Sequence, residues 1–169
     1  HGSMAGGRWR SERHHRGMNM SEVSNQLGPF GGFGFEIPFV QALGFELLEF
    51  ADGASLIRFT PQAPHLNSFG VVHGGALMTL LDVSMATAAR SIDKSMGVVT
   101  IEMKPSFMQA AQGDLQGRGR LLHRTRQMAF TESSVVDSQG RLCAHATGTF
   151  RYVTRNQPSR GASSAPASD

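Results

Sequence analysis

The stretch that decides the fold is residues 65–90, HLNSFGVVHGGALMTLLDVSMATAAR. A polar loop leads through a Gly-Gly pair into a long, charge-poor run, which predicts one helix over residues 73–90. Asp82 is the single acid in that run. A lone carboxylate among apolar neighbours costs stability unless it is satisfied or used. Asp82 is therefore the first candidate for a functional residue, and a structural acid bonded to backbone or to a cation is the alternative.

The predicted helix has two apolar faces. At 100° per residue, one stripe faces the sheet, and Asp82 points away from its centre toward a second small, apolar face. A surface helix would carry charges on that second face, so we expect a second copy of the chain to cover it in a two-fold dimer. The stripe comprises Leu77, Leu80, Leu81, Ser84 and Ala88, and the second face comprises Gly75, Met78, Met85, Ala86 and Ala89.

The segments around this helix read mainly as strands. The dipeptide Asp52-Gly53 predicts a tight hairpin between the first two of them. A run of strands around a single long helix is typical of an α+β layer in which an antiparallel sheet covers the helix. We predict a short helical turn over residues 37–43 and strands over residues 45–50, 54–60, 96–108, 113–123, 128–136 and 142–153.

The length of 169 residues suits one domain with tails. We interpret residues 1–3, ahead of Met4, as a remnant of expression cloning and residues 1–34 as a whole as a flexible N-terminal tail. In that tail Phe30, Phe33 and Phe35 are candidates for docking on the core. The domain is expected over residues 35–153, and the Ser-, Ala- and Pro-rich residues 154–169 are expected to be disordered.

Composition excludes several classes of function. The net charge of +3 comes from the arginines of the two tails, so nucleic-acid binding is not expected. The chain lacks an apolar run long enough to span a membrane and an N-terminal secretory signal. One cysteine, Cys143, fits a reducing compartment, and we expect a cytoplasmic protein. The histidine spacings match no known metal site, so neither metal nor cofactor is expected.

The start of the helix offers a second chemical feature. Free backbone N–H groups at Gly74 and Gly75, at the positive end of the helix dipole, can hold an oxyanion, although close packing explains two glycines equally well. Gly74 and Asp82 are eight residues apart, about 12 Å along a helix. One reacting carbonyl cannot touch both groups within a single chain. If both are catalytic, the site is shared between two subunits.

The pattern Asn67-x-x-Gly70-x-x-His73-Gly74-Gly75, followed after five intervening residues by Leu81-Asp82, resembles the hotdog-fold thioesterases of the phenylacetate-degradation (PaaI-like) type. The resemblance extends over roughly residues 36–153 and includes residues 37–47, 128–131 and 144–150. One departure is Gln109-Ala110-Ala111, where the family usually has a small residue followed by Pro-Ala. This departure concerns the path of the chain after Phe107 and not the chemistry.

The resemblance implies hydrolysis of an acyl-CoA thioester without a cofactor. The Gly74 N–H would polarise the thioester carbonyl, and Asp82 of the facing subunit would act as nucleophile or general base. Asn67 would hold the thioester or the water, and Thr100 would orient the water. His73 would brace the turn or form a hydrogen bond near the thioester. The resemblance also implies a homodimer with shared active sites that pairs again into a dimer of dimers.

The remaining binding residues are assigned by position. Gly75 and Met78 are expected at the acyl-CoA site, and Arg124 and Arg126, in a turn, are candidates for the CoA phosphates because the guanidinium fork suits phosphate oxygens. Solvated strand faces are the alternative interpretation of the arginines. Two other functions stay open at this point: a hotdog enoyl-CoA hydratase or dehydratase, and a non-catalytic acyl-CoA-binding hotdog protein.

Overall fold

A computed structural model describes residues 28–155 of the chain. Two helices, six strands and one short 3₁₀ turn (Ala63–His65) make up these residues. The predicted elements are confirmed, with ends that differ by one or two residues. In chain order they are α1 (Pro38–Ala42), β1 (Phe45–Ala51), β2 (Ala54–Phe59), α2 (Gly74–Arg90), β3 (Met96–Phe107), β4 (Leu115–Arg124), β5 (Met128–Asp137) and β6 (Leu142–Thr154).

The six strands form one antiparallel sheet in the order β1-β2-β4-β5-β6-β3, which wraps around α2. The predicted α+β hotdog arrangement is confirmed. The predicted hairpin is present as well: Asp52 and Gly53 both have positive φ, 51° and 76°, as the mirror-image turn between twisted strands requires.

The sheet-facing stripe of α2 is buried as predicted, but the sheet covers more of the helix than the stripe. Met85 and Ala89 were predicted on the second face; this is wrong, because both are fully buried within the same chain. The curled sheet reaches around the helix, and the Met85 side chain packs beside Gly148 of β6. The outward face of α2 is therefore narrower than predicted, and Met78, Asp82 and Ala86 remain on it.

Two glycines of β4 allow α2 to lie directly on the sheet. A Cβ added at Gly119 would overlap the Ser84 carbonyl oxygen, and one added at Gly117 would overlap the Ser84 hydroxyl. The Ser55 hydroxyl, from β2, donates to the same Ser84 carbonyl at 2.7 Å. Glycine at alternate positions of a strand marks such a close approach of another element. These contacts determine the distance between α2 and the sheet, and they determine which residues of the helix face away from the sheet.

Strand β3 is an edge of the sheet and carries exposed apolar side chains. Ile101 is 54% exposed and Phe107 is 49% exposed. The pairing with β6 slips between Thr100 and Glu102, so Ile101 is the extra residue of a β-bulge. Pro105, which cannot donate to a ladder, lies in this edge strand, where proline is tolerated.

The residues that precede α1 pack against the core. Phe33 is buried, and the Leu47 N–H donates to the Gly31 carbonyl at 2.7 Å. Phe35 is partly buried, whereas Phe30 is largely exposed. The predictions for residues 1–27 and 156–169 lie outside the described residues. Within residues 28–155, no helix is both long and apolar enough to cross a membrane.

We expect Gly119→Ala to destabilise the protein by about 1–3 kcal/mol, the usual cost of overpacking, because the new methyl group must push α2 off β4. Chemical denaturation followed by circular dichroism measures this loss. Gly28→Ala is the matched control, since among residues 28–155 no atom lies within 4 Å of an added Cβ there. Equal stability of the two variants would contradict the proposed close contact.

Candidate active site

Asp82 and Thr100 meet at the outward face of α2. The Thr100 hydroxyl donates to Asp82 Oδ1 at 2.7 Å. Thr100 pairs across the sheet with Phe150, whose buried side chain faces the helix, so Thr100 lies on the same face. Because Ile101 is an extra residue in the strand, the alternation of faces shifts by one, and Met103, three residues after Thr100, faces the helix side as well. The structure thus joins two residues that the sequence separates by eighteen positions.

The surroundings of Asp82 favour its neutral form. Burial raises the pKa of Asp82 above that of an ordinary aspartate, and the hydrogen bond from Thr100 acts in the opposite direction and lowers it. A carboxylate with a raised pKa is a stronger base than one in water. Asp82 therefore has the environment of a general base, with one hydroxyl that orients it.

The N-terminus of α2 leaves a single backbone donor without an acceptor. His73 caps the helix: its Nδ1 accepts from the Gly75 N–H at 2.9 Å. The next two N–H groups donate to the His73 carbonyl. Among residues 28–155, no hydrogen bond is donated by the Gly74 N–H. Gly74, and not Gly75, is thus the donor that can serve a ligand, and the cap requires Nδ1 of His73 to be unprotonated.

Asn67 shapes the loop that precedes this helix start. Its side-chain Oδ1 accepts from the Phe69 N–H at 2.9 Å and from the Val71 N–H at 3.4 Å. Gly70, with a φ of +70°, closes the same turn. The Asn67 oxygen therefore organises the loop, and only the amino group of the side chain is left to approach a substrate.

A cavity of about 470 Å³ lies along the outward face of α2, in the size range of small-molecule sites. Asp82 is its acid. Met78, 41% exposed, lines it, whereas Gly74 and Gly75 do not. The remaining walls are Phe33, Phe35, Ile37, Phe39, Val40, Thr79, Val83, Ala86, Thr87, Arg90, Gly97, Val98 and Met103.

Neither predicted phosphate-binding arginine lies at this cavity. Arg124 is held by Asp93, 3.6 Å from Nη2 to Oδ2, and its guanidinium lies 4.8 Å from the centre of the Tyr152 ring. Arg126 is exposed. Within one chain the structure therefore brings together Asp82, Thr100 and Met78, and leaves the two arginines apart from them.

Sequence reasoning missed two parts of the cavity. Phe33 and Phe35 form a wall of it, and Arg90 closes its far end. The sequence does contain a signal for Arg90, because this residue is a cation at the end of an otherwise charge-poor helix. Among the residues that the structure describes, no cluster of His, Cys, Asp and Glu could hold a metal ion.

Comparison with known proteins agrees with this geometry. The sequence profile of the thioesterase superfamily matches residues 69–144. The conserved protein PA5202 of Pseudomonas aeruginosa has 30% sequence identity and a TM-score of 0.67, and the match covers 70% of this chain and 95% of that one. A point mutant of the phenylacetic acid degradation protein PaaI of Thermus thermophilus has 27% identity and a TM-score of 0.63, and the match covers 68% of this chain and 98% of that one. SSO1253 of Saccharolobus solfataricus, provisionally named an esterase, is 26% identical over 134 residues, which are 79% of this chain and 85% of that protein.

We expect Thr100→Val to raise the pKa of Asp82 further, because the substitution removes the hydrogen bond that lowers it and keeps the shape of the side chain. Carboxyl carbon chemical shifts, followed by NMR across a pH titration, measure this change. Thr149→Val is the matched control: it removes a comparable 2.7 Å hydrogen bond, to Glu102. An unchanged Asp82 titration in Thr100→Val would refute the coupling.

Proposed function

Because the chain belongs to the thioesterase superfamily, we propose that it hydrolyses the thioester of an aryl- or short- to medium-chain acyl-CoA, releasing the free acid and CoA. The observation that carries this proposal is the Asp82 carboxylate on the wall of a mostly apolar cavity, where it accepts a hydrogen bond from the Thr100 hydroxyl. The cavity suits an acyl group, and the pair suits the activation of a water molecule.

In the proposed reaction Asp82 acts first. As a general base it takes a proton from water while the water oxygen attacks the thioester carbon; as a nucleophile it forms an anhydride that water then hydrolyses. Thr100 orients the carboxylate in either route. The Gly74 N–H stabilises the oxyanion, and the intermediate collapses with loss of the CoA thiolate, which is then protonated.

We propose that the Gly74 N–H comes from a second subunit. Gly74 and Asp82 lie at different turns of the same helix, about 12 Å apart. The edge strand β3 exposes Val99, Ile101 and Phe107, and the neighbouring face of α2 exposes Met78. Apolar surface of this kind, beside an open strand edge, supports a homodimer in which each helix start approaches the partner's Asp82. Further pairing of dimers into a tetramer remains part of the proposal.

The remaining assignments are proposals with less support from geometry. Arg126, exposed in the β4–β5 turn, and Arg124 are retained as candidates for the CoA phosphates in an assembled oligomer. Asn67 and Gly75 are proposed to border the thioester, with His73 as the brace of the loop. Cys143, a buried thiol, fits a reducing compartment such as the cytoplasm.

Asp82→Asn should reduce kcat at least about 100-fold, the usual contribution of a general base. Its melting temperature should be equal or higher. The raised pKa means that the ionised carboxylate is less favourable in the folded chain than in the unfolded one; this destabilisation is absent below the unfolded-state pKa and complete above the folded-state pKa. At neutral pH the amide removes it.

Release of free thiol from a panel of aryl-, short- and medium-chain acyl-CoAs measures the rate, and thermal unfolding measures the stability. Glu49→Gln, which neutralises an exposed carboxylate of β1, is the control and should keep full activity. Full activity of Asp82→Asn would overturn the mechanism. Water addition to an enoyl-CoA, followed by loss of enoyl absorbance, would favour a hydratase instead.

Gly74→Pro should remove the proposed oxyanion donor and little else. Proline is tolerated at the first helical position, and His73, with φ −61° and ψ 138°, already has the conformation that precedes proline. We expect a loss of about 100- to 1,000-fold in kcat, as for other oxyanion donors. Gly74→Ala keeps the N–H and places its Cβ in ordinary contact, 3.8 Å from Phe107, so it should stay active.

Mixing the two inactive variants then tests the shared site. A heterodimer of Gly74→Pro and Asp82→Asn contains one site in which both groups are intact. Refolding the two together should restore about a quarter of the wild-type activity if subunits pair at random in two-fold dimers. Absence of recovery from a mixture shown to contain heterodimers would mean that the two groups do not act across an interface.

A further inference from the structure

The cavity has a distinct chemistry at each end. Asp82 lies toward one end, and Arg90, eight residues later on the same helix, lies at the other, about 12 Å away along the axis. Between them the helix contributes Val83 and Ala86, and the facing wall is aromatic and aliphatic. A chain bound with its thioester at Asp82 therefore crosses apolar surface and ends at a guanidinium.

Arg90 is held in place without a counter-ion. Its guanidinium lies 4.6 Å from the ring centre of Phe35 and 5.5 Å from that of Phe50. Its Nε is buried and has no hydrogen-bond acceptor among residues 28–155. None of the salt bridges in this part of the chain includes Arg90. A partly buried charge is costly unless something pairs with it.

Two further cations surround the same end of the cavity. Arg155 lies 3.9 Å from the Phe35 ring centre, and Lys94 lies 4.8 Å from that of Phe50. Neither forms a salt bridge within residues 28–155. Burial, and then the charge of Arg155, lower the pKa of Arg90, which is the response of a cation in uncompensated positive surroundings. The far end of the cavity thus has a positive potential, and among residues 28–155 no acidic side chain forms a salt bridge with Arg90, Arg155 or Lys94.

We propose that this end binds an anionic group at the far end of the acyl chain, so that the preferred substrates are acyl-CoA thioesters with a terminal carboxylate. This inference rests on the proposed thioesterase function. The guanidinium fork suits a carboxylate, and the aromatic rings hold it in one orientation. The apolar walls then contact the methylene chain between the thioester and the carboxylate.

The test compares ω-carboxyacyl-CoAs from succinyl- to suberoyl-CoA with the uncharged thioesters of equal length, butyryl- to octanoyl-CoA. Wild-type enzyme should give a kcat/KM about tenfold or more higher for the charged member of the best-fitting pair, the size of effect of a hydrogen bond to a charged group. Arg90→Met should abolish this preference, because it lowers kcat/KM for the charged thioesters much more than for the uncharged ones. Arg118→Met, which removes an exposed arginine of β4, is the control and should keep it.

Each other outcome overturns a specific statement. A wild-type enzyme that hydrolyses the uncharged thioesters as well as the charged ones overturns this inference and leaves the thioesterase function standing. An equal loss on both series in Arg90→Met overturns it as well, because the anion would then be a phosphate of CoA. Hydrolysis of neither series overturns this inference, and inactivity on aryl-CoAs as well overturns the proposed function itself. The wild-type comparison decides the matter even if the Arg90→Met variant does not fold.

Discussion

The close contact between helix α2 and strand β4 is the constraint on which the rest of the structure depends. Gly117 and Gly119 have no side chain on the face that meets Ser84, so the helix can lie against the backbone of the sheet. The curled sheet then covers most of the helix and leaves one narrow face outward. Asp82 is on that face, and its position next to β3 follows from the depth at which the helix lies.

The site is built from this geometry with few polar atoms. Thr100, the residue before a bulge in the edge strand, faces the helix, and its hydroxyl donates to the carboxylate of Asp82. At the start of the same helix the His73 side chain occupies the Gly75 N–H, so one backbone donor, that of Gly74, is left for a ligand. A carboxylate base and a backbone donor at separate turns of one helix support the proposal that two chains complete the site. Helix α2 and strand β3 together orient the carboxylate of Asp82, and the start of α2 supplies the backbone donor.

Charge distribution separates the two ends of the cavity. Near Asp82 the relevant effect is desolvation of an acid, which raises its pKa. Near Arg90 it is the accumulation of cations around two aromatic rings. The cavity has an acid, Asp82, toward one end and a cation, Arg90, at the other, so a ligand with different groups at its two ends would bind in one orientation. Phe33 and Phe35, which precede α1, form part of the wall of this cavity.

The sequence by itself determined the elements and the hairpin at Asp52-Gly53, and it identified Asp82 as the candidate functional residue, because these depend on local periodicity, turn chemistry and the cost of an isolated charge. It also predicted the Gly74 and Thr100 positions through the family resemblance. Only the tertiary structure decided that Met85 and Ala89 are covered by the chain's own sheet, that Arg124 pairs with Asp93, and that Arg90 closes the cavity. Those outcomes depend on how far the sheet curls and on contacts between residues distant in the chain, which a helical pattern does not contain.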